Sequence, residues 1–259
     1  MSTLPADELE AVAIAACRAA AERIRSSDAN APVAVKSTST DVVTATDLAA
    51  ESIIHDLLAD ATPGARLLGE EGGNRSLGIG PHGSLEWVVD PLDGTVNYTY
   101  GIPVTAVSVA AVVDGRPVAA AVVDVRLAEV FSARAGGRAR LDGGEITCRR
   151  APPMHLALLA TGFSYRPGVR SSHGRTIADL LGRVRDVRVV GSAALNLCWV
   201  AAGRLDAYVE RDIKPWDYAA GSLIAREANA RVELPCPENA DLVLAADPDL
   251  FEQLRPLVA

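Results

Sequence analysis

Aromatic residues are scarce in this chain of 259 residues, since Phe, Trp and Tyr together make up only 4% of it. An aromatic-rich β-barrel is therefore disfavoured. Apolar residues nevertheless account for 49% of the sequence, with Ala and Val predominant, and this supply is sufficient for a substantial core. The composition favours closely packed helices on a sheet, within one large domain or two small ones.

Cysteine is also sparse, and the spacing of the cysteines indicates neither a redox motif nor a metal site. The four cysteines are Cys17, Cys148, Cys198 and Cys236. None forms a C-x-x-C pair, and no His lies at metal-ligand spacing from any of them. A disulfide framework is not expected in a chain this long with so few cysteines. We expect reduced, mostly buried thiols that behave as small apolar residues.

Clusters of basic residues are missing too. The formal charge is −8, and no basic run is longer than the pair Arg149-Arg150. Nucleic-acid binders usually show a basic patch, so no nucleic-acid partner is expected. An acidic protein repels anionic substrates unless a bound divalent cation reverses the local field.

Long apolar runs are absent as well. The most apolar stretch, Val104–Val125, is interrupted by Asp114, Gly115 and Arg116 and cannot cross a bilayer as one helix. The first residues lack the basic start and apolar run of a signal peptide. We therefore expect a cytoplasmic protein with no membrane partner.

Hydrophobic periodicity and turn residues predict helices and strands that alternate along the chain. Val104–Val113 and Pro117–Val125 flank Asp114-Gly115 and indicate an antiparallel hairpin. We expect an α/β protein in which helices and sheets stack in layers. Helices are predicted at Asp7–Arg25, from Thr46 or Asp47 to Pro63, at Arg175–Val184, from the cap Ser192 to Ala202, at Trp216–Ala228 and from Asp247 onward. Further strands are predicted at Arg66–Leu68, Trp87–Val89, Glu129–Arg140, Glu145–Cys148, Leu156–Ala160, Val187–Val190 and Leu205–Val209.

The segment from Trp87 to Thr95 has the clearest chemical pattern. An apolar strand ends in Asp90, and Asp93 follows after Pro91 stiffens the turn. Hard cations such as magnesium prefer oxygen ligands, which two carboxylates on one turn supply. The amides of Gly94 and Thr95, at a predicted helix start, suit a phosphate group. Taken alone, the segment is also ordinary turn chemistry.

Three further acidic segments accompany it, each with a plain structural alternative. Glu70 in Gly69–Gly72 follows an apolar strand and could belong to a simple acidic turn. Asp217 opens a predicted helix, where a negative charge favours the helix dipole. A last group, in which Asp47 follows a Lys and a further acid, could be a capped helix start. The residues of that group are Lys36, Asp41-Val42-Val43-Thr44 and Asp47.

Together these segments resemble the inositol monophosphatase family, in order and spacing, from about residue 7 to residue 247. One departure is visible, because Asn229-Ala230 stands where the family usually has a Gly pair after a helix. Asn tolerates the left-handed conformation of a helix C-cap, so the turn can survive. The matching segments are Lys36 to Asp47, Gly69–Glu71, Trp87–Tyr98, Gly191–Ala193, Ala202–Ala207 and Trp216–Gly221.

The resemblance implies a layered αβαβα sandwich of the inositol monophosphatase and fructose-1,6-bisphosphatase type. It implies one domain over residues 1–259, with an N-terminal α+β half up to about residue 150 and a C-terminal α/β half from about residue 151. It also implies a homodimer.

The resemblance further implies two or three magnesium ions per active site and inhibition by lithium, which would displace one magnesium. Crowded carboxylates repel one another unless cations neutralise them, which agrees with this expectation. Two metals can hold both the attacking and the leaving oxygen of an in-line displacement. Water would be activated beside Glu70 and a Thr95–Asp47 pair, with no covalent phosphoenzyme. The implied metal ligands are Glu70, Asp90, the carbonyl of Leu92, Asp93 and Asp217.

The substrate implied by the resemblance is a small phosphorylated polyol, inositol-1-phosphate in the first place. Glu210 matches a residue that accepts hydrogen bonds from ring hydroxyls in inositol-specific relatives. Arg211 and Lys214 could meet a second anionic group or be solvated. The implied substrate-binding residues are Asp93, Gly94, Thr95, Gly191, Ser192, Ala193, Glu210 and Asp217.

Other functions stay open from the sequence. Fructose-1,6-bisphosphatase, histidinol-phosphate phosphatase and adenosine-bisphosphate phosphatase belong to the same superfamily. A non-catalytic regulatory binding protein that keeps the fold is disfavoured, because every expected carboxylate is present.

Overall fold

A computed structural model describes residues 4–27, 33–35, 42–236, 238–239 and 241–259. The predicted motif residues Lys36 and Asp41 lie outside these ranges. None of the helices within them has the length and apolar character needed to cross a bilayer. The helices are α1 (Ala6–Arg25), α2 (Ala45–Ala61), α3 (Thr95–Thr99), α4 (Pro167–Leu181), α5 (Ala193–Ala201), α6 (Pro215–Glu227) and α7 (Pro248–Val258), with a 3-10 turn at Met154–Leu156.

The described strands form two large sheets and one small antiparallel pair, β1 (Val33–Val35) with β2 (Val42–Thr44). The first large sheet has the order β10-β9-β8-β7-β6-β5-β3-β4. Its strands are β3 (Arg66–Gly69), β4 (Gly73–Ser76), β5 (Leu85–Asp93), β6 (Ala106–Val113), β7 (Arg116–Asp124), β8 (Val130–Arg134), β9 (Arg140–Leu141) and β10 (Gly144–Glu145). The second has the order β12-β11-β13-β15-β14, with β11 (Leu158–Thr161), β12 (Asp186–Val189), β13 (Ala207–Arg211), β14 (Arg231–Glu233) and β15 (Leu242–Ala246).

The helices lie in three layers around these two sheets. Helices α1 and α2 cover the outer face of the first sheet, and α5 and α6 pack between the sheets. Helices α4 and α7 cover the outer face of the second sheet. The layers alternate as helix, sheet, helix, sheet, helix. The predicted layered α/β sandwich is confirmed.

Strand β5 is apolar on both faces because helices cover both faces of its sheet. Val88 contacts the core of the middle helical layer, whereas Val89 contacts the core under α1 and α2. Alternation along the strand therefore places Asp90 on the same side as Val88, toward the middle layer. The buried Trp87 satisfies its indole N–H by donating to Thr62 Oγ1 at 2.8 Å.

Strand β13 directs a second carboxylate into the same layer from the opposite sheet. Tyr208 belongs to the core of the middle layer, and Val209 belongs to the core under α4 and α7. Glu210 is two residues beyond Tyr208, so it shares the face of Tyr208. The ends of β5 and β13 thus bring acidic side chains toward each other across the middle layer.

The structure differs from the prediction at several points, and the predicted strand Glu129–Arg140 divides into β8 and β9. The apolar spacing of α2 predicts that Leu57 is buried, but its side chain is exposed, and the buried stripe includes Ile54 and Leu58. Helix α4 begins at Pro167, whereas the predicted helix begins at Arg175. The prediction misses the first turns because they are mostly exposed and show little apolar periodicity. Strand β15 was not predicted, because it is buried throughout between two neighbours and has no alternating pattern.

Candidate active site

The pairing of β5 is irregular between Asp90 and Asp93, and this end of the strand and the turn after it are held by the Asp90 side chain and by a glycine. Asp90 is buried, and its Oδ1 accepts a hydrogen bond from the Leu92 amide at 3.0 Å. Gly94 has a φ of 92°, in the left-handed region. A Cβ at Gly94 would lie 2.9 Å from the carbonyl oxygen of Val104 and 3.1 Å from that of Gly191. Glycine is therefore required where this turn meets the loop before α5.

The Asp93 carboxylate sits at the N-terminus of α5. Its Oδ2 accepts hydrogen bonds from Ser192 Oγ at 2.5 Å and from the Ala194 amide at 2.8 Å. Its Oδ1 accepts a longer one from the Ala193 amide at 3.3 Å. A carboxylate here satisfies helix amides that have no partner within the helix, and it lies at the positive end of the helix dipole.

Thr95 and Asp47 form the predicted pair. Thr95 Oγ1 lies 3.0 Å from Asp47 Oδ1 and 3.0 Å from the carbonyl oxygen of Leu92. The other Asp47 oxygen accepts hydrogen bonds from the Thr44 amide at 2.9 Å and the Thr44 hydroxyl at 2.5 Å. Asp47 is fully buried, so these contacts fix its carboxylate beside Thr95.

Glu70 follows β3, and its amide donates to the Val89 carbonyl at 3.1 Å, which holds the loop against β5. A residue missed from the sequence, Glu51, supports this loop from α2. Its buried carboxylate accepts a hydrogen bond from the Glu71 amide at 3.0 Å and forms a salt bridge with Arg75 at 3.5 Å. Its position four residues after Asp47, on the same face of a helix, was the available signal.

Asp217 lies in the first turn of α6, after Pro215 at the helix start. Its Oδ2 accepts a hydrogen bond from the amide of Lys214, the residue before the helix, at 2.5 Å. Asp217 thus caps its own helix from within, whereas Asp93 reaches the start of α5 from another segment.

The carboxylates of this region interact strongly with one another. Burial raises the pKa of Asp90 well above its ordinary value, and the charges of Glu70, Asp93 and Asp217 raise it further. Burial likewise raises the pKa of Asp93 to about 6, although its hydrogen bonds to the start of α5 oppose the shift. The pKa of Asp217 is also raised, by burial first and then by the charges of Asp93, Glu70 and Glu210, while the Lys214 amide opposes this. The structure thus concentrates acidic groups whose ionised forms repel one another, and a bound cation would relieve that repulsion.

The donor set fits a hard divalent cation, because carboxylate and carbonyl oxygens are the ligands such ions prefer. Within the described ranges, however, no three His, Cys, Asp or Glu side chains already surround a common point. A hydrogen bond between Glu70 and Asp90 raises the pKa of Asp90, and Asp93 and Asp217 turn oxygens toward helix amides. The carboxylates are near neighbours that hydrogen-bond to protein groups.

A cleft opens beside these carboxylates, and Glu210 lies in its wall. Glu210 is 8% exposed, and its Oε2 accepts a hydrogen bond from the Tyr208 hydroxyl at 2.7 Å. Burial raises the pKa of Glu210 to about 7, against the Tyr208 hydrogen bond, which lowers it. The predicted substrate-binding residues in the cleft wall are Asp93, Gly94, Gly191, Ser192, Ala193, Glu210 and Asp217.

Asn97 holds the loop at Val190 and Gly191, on the far side of the cleft, by hydrogen bonds. This role was not predicted from the sequence. Asn97 Nδ2 lies 2.9 Å from the Val104 carbonyl oxygen and 2.8 Å from that of Val190. Gly191 has a φ of 83°, and a Cβ there would lie 2.7 Å from Asn97 Nδ2. The pair holds the loop close to the turn after β5.

The two cations next to Glu210 are engaged by groups of the protein itself. Lys214 Nζ lies 3.4 Å from Asp212 Oδ1. Asp212 Oδ2 also accepts a hydrogen bond from Arg166 Nε at 2.6 Å. Arg211 donates to the carbonyl oxygens of Asn239, at 3.0 Å, and of Val258. Arg211 is therefore held by the protein, whereas the Lys214 side chain is 55% exposed beside Asp212.

Known proteins resemble this chain over nearly its whole length. An inositol-1-monophosphatase of Mycobacterium leprae is 47% identical over 231 residues, which cover 86% of this chain and 79% of the relative. A Nus factor SuhB of Vibrio cholerae is 39% identical over 224 residues, 85% of this chain and 83% of the relative. The solved structure of Mycobacterium tuberculosis SuhB superposes with a TM-score of 0.82 at 41% identity, covering 97% of this chain and 96% of that one.

The pattern that defines the inositol monophosphatase family matches residues 6–256. Metal dependence is general in this family. With the identity to its members, the match shows that the chain belongs to the inositol monophosphatase family and supports its assignment as a phosphatase.

Proposed function

We propose that this protein hydrolyses inositol-1-phosphate to inositol and phosphate in a magnesium-dependent reaction. The proposal rests on where the acidic side chains lie relative to the cleft. Asp93 and Asp217 line the same cleft as Glu210, and their charges raise the pKa of the neighbouring buried Asp90. A phosphate held at these carboxylates would therefore present its leaving group to Glu210.

Magnesium, when bound, would supply the positive charge that offsets the phosphate and would make a bound water a better nucleophile at neutral pH. The residues proposed to hold two or three ions are Glu70, Asp90, the Leu92 carbonyl, Asp93 and Asp217. This role requires the Glu70–Asp90 hydrogen bond to open, since both carboxylates must be ionised to act as ligands. The raised pKa of Asp90 makes a proton available for release when that happens.

The Thr95–Asp47 pair orients the attacking water in this proposal. A hydroxyl has one proton and two lone pairs, so Thr95 Oγ1 can donate to Asp47 while accepting a hydrogen bond from water. Asp47 is held by Thr44, which keeps its acceptor oxygen on Thr95. Glu70 is proposed to assist in removing the water proton. No group of the chain needs to become phosphorylated.

Substrate recognition falls to the carboxylate of Glu210 and to the loop at Gly191–Ala193. A carboxylate accepts hydrogen bonds and offers none when ionised, so it selects a leaving group with hydroxyl donors. Lys214 and Arg166 already pair with Asp212, so a second phosphate at that edge would have to compete with this carboxylate. The homodimer and the inhibition by lithium stay predictions from the family resemblance.

A regulatory role is an alternative function, since some relatives carry the name Nus factor SuhB. The relative from Mycobacterium leprae that is named for phosphatase activity has higher identity than the Vibrio cholerae Nus factor, 47% against 39%. Every carboxylate that the family resemblance implies as a metal ligand is also present in this chain. We therefore favour catalysis as its primary function.

The proposal is tested by phosphate release from inositol-1-phosphate, fructose-1,6-bisphosphate, histidinol phosphate and an adenosine bisphosphate. Each is measured with magnesium, with magnesium and lithium, and with a chelator. We expect inositol-1-phosphate to have the highest kcat/KM, with release abolished by the chelator and reduced by lithium. Preference for another substrate would replace the inositol assignment, and no magnesium-dependent release from any would point to a binding protein.

Asp93→Asn should lose more than about tenfold of turnover at saturating magnesium, because an amide is neutral and a poor magnesium ligand. Asp93 also caps α5, so a loss of stability must be separated from a loss of chemistry. Asp247→Asn changes a carboxylate that caps α7 through the Asp249 amide, outside the cleft. Thermal melting and turnover are measured for both variants. Asp93→Asn activity within tenfold of wild type would remove Asp93 from the ligand set.

Thr95→Ala should reduce kcat more than it raises KM, because the hydroxyl is proposed to act on the attacking water rather than on bound substrate. Thr95→Ser keeps the hydroxyl and serves as the matched control, with kcat expected close to wild type. Steady-state kinetics on inositol-1-phosphate separate the two parameters. A rise in KM alone would make Thr95 a phosphate-binding residue.

Glu210→Ala should lower kcat/KM for inositol-1-phosphate by roughly tenfold to a hundredfold, since a lost polar partner in a buried site costs about 1–3 kcal/mol. An aryl phosphate has no ring hydroxyls to lose, so its kcat/KM should change little. Both substrates are measured on both proteins. Equal losses on the two substrates would show that Glu210 supports the site structurally.

A further inference from the structure

The Glu210 carboxylate is oriented by a second residue on its own strand. Tyr208 is fully buried in the middle layer, and its hydroxyl donates to Glu210 Oε2 at 2.7 Å. The other oxygen, Oε1, makes no hydrogen bond with any residue that the structure describes. One carboxylate oxygen is thus committed to the protein, and the other remains as an acceptor.

The neighbouring strand restricts the same carboxylate from the other side. Strand β11 pairs with β13 in parallel, with Thr161 opposite Val209, so Gly162 follows in register beside Glu210. A Cβ at Gly162 would lie 2.2 Å from Glu210 Oε2 and 2.4 Å from Oε1. The carboxylate therefore occupies space that any other residue at 162 would fill. Gly162 also lines the cleft with Glu210.

We propose that Tyr208 and Gly162 are positioning residues that fix the orientation of Glu210 and thereby give the cleft its preference for phosphates with hydroxyl-bearing leaving groups. The inference rests on the proposed function of Glu210 as the acceptor of substrate hydroxyls. Tyr208 anchors one oxygen, and Gly162 leaves room for the carboxylate to lie flat against β11. The Oε1 oxygen is then held in a fixed place, where it can accept a hydrogen bond from a substrate hydroxyl.

Pre-orientation matters because a carboxylate that must be ordered during binding loses affinity to side-chain entropy. Tyr208→Phe removes the anchoring hydroxyl and keeps the buried ring. We expect KM for inositol-1-phosphate to rise roughly tenfold, the factor that corresponds to about 1.4 kcal/mol. The value of kcat, and both constants for an aryl phosphate, should stay within about twofold of wild type, because the phosphate site is untouched.

The matched control is Ser132→Ala. Ser132 Oγ donates to the buried Glu10 carboxylate at 2.7 Å, the same distance as the Tyr208–Glu210 hydrogen bond, but between β8 and α1. This variant loses a buried hydroxyl-to-carboxylate hydrogen bond outside the cleft. It should lose stability without changing the ratio of KM values for the two substrates.

A double-mutant cycle distinguishes positioning from general support. In a Glu210→Ala background, Tyr208→Phe should have no further effect on either substrate, because the group through which it acts is gone. A further rise in KM in that background, or the same substrate ratio in Tyr208→Phe and wild type, would overturn the proposal.

Gly162→Ala tests the second restriction and should raise KM for inositol-1-phosphate selectively by displacing Glu210. Its control is Gly174→Ala on α4, where an added Cβ meets nothing within 4 Å. If Gly162→Ala leaves the substrate ratio unchanged, Gly162 has no positioning role. If inositol-1-phosphate is not a substrate, the proposed function fails first, and the cycle is run on the best hydroxyl-bearing substrate against the aryl phosphate.

Discussion

The contact between Asp93 and the first turn of α5 is the constraint on which the cleft depends. It joins the end of a strand in the first sheet to a helix that packs against both sheets. The hydrogen bonds are charge-assisted and aligned with the helix dipole, which makes them stronger than neutral ones. This contact, together with the hydrogen bonds of Asn97, brings the loops of Gly94 and Gly191 close to each other. The Asp93 carboxylate thus helps to set the spacing of the cleft walls.

The same arrangement has an energetic cost. Asp90, Asp93 and Asp217 all have raised pKa values, because burial and neighbouring negative charges disfavour their ionised forms. Such groups reduce the stability of the protein that has no cation bound. A ligand that binds only the folded state restores stability by an amount that grows with the logarithm of its concentration relative to its Kd. The site thus links folding to the ions proposed for catalysis.

The elements with local signals were predictable from the sequence. Helix α1 and the hairpin of β6 and β7 show the periodicity or turn residues expected of them. Asp90 follows the predicted apolar stretch, although strand β5 runs on to Asp93. Strand β15 was missed because a strand buried on both faces has no alternating pattern.

The candidate site divides in the same way between local and distant information. Asp47 and Thr95 were paired through family resemblance, and the structure places their side chains 3.0 Å apart. Gly162 was not recognised, because its significance comes from a strand pairing with residues almost fifty positions away along the chain. Glu51 and Asn97 were missed for the same reason, since each acts on a loop that is distant in sequence.

The middle helical layer has a consequence for how such a protein can evolve. Helices α5 and α6 come from the second half of the chain, yet they pack against strands β5 to β8 of the first half and against the second sheet as well. A crossover near residue 150 between two distant homologues would place these helices against a sheet with different side-chain volumes. Interiors are packed too closely to absorb that mismatch without loss. The two halves are thus bound to change together, and new substrate preferences would arise more readily in the loops around the cleft than by exchange of halves.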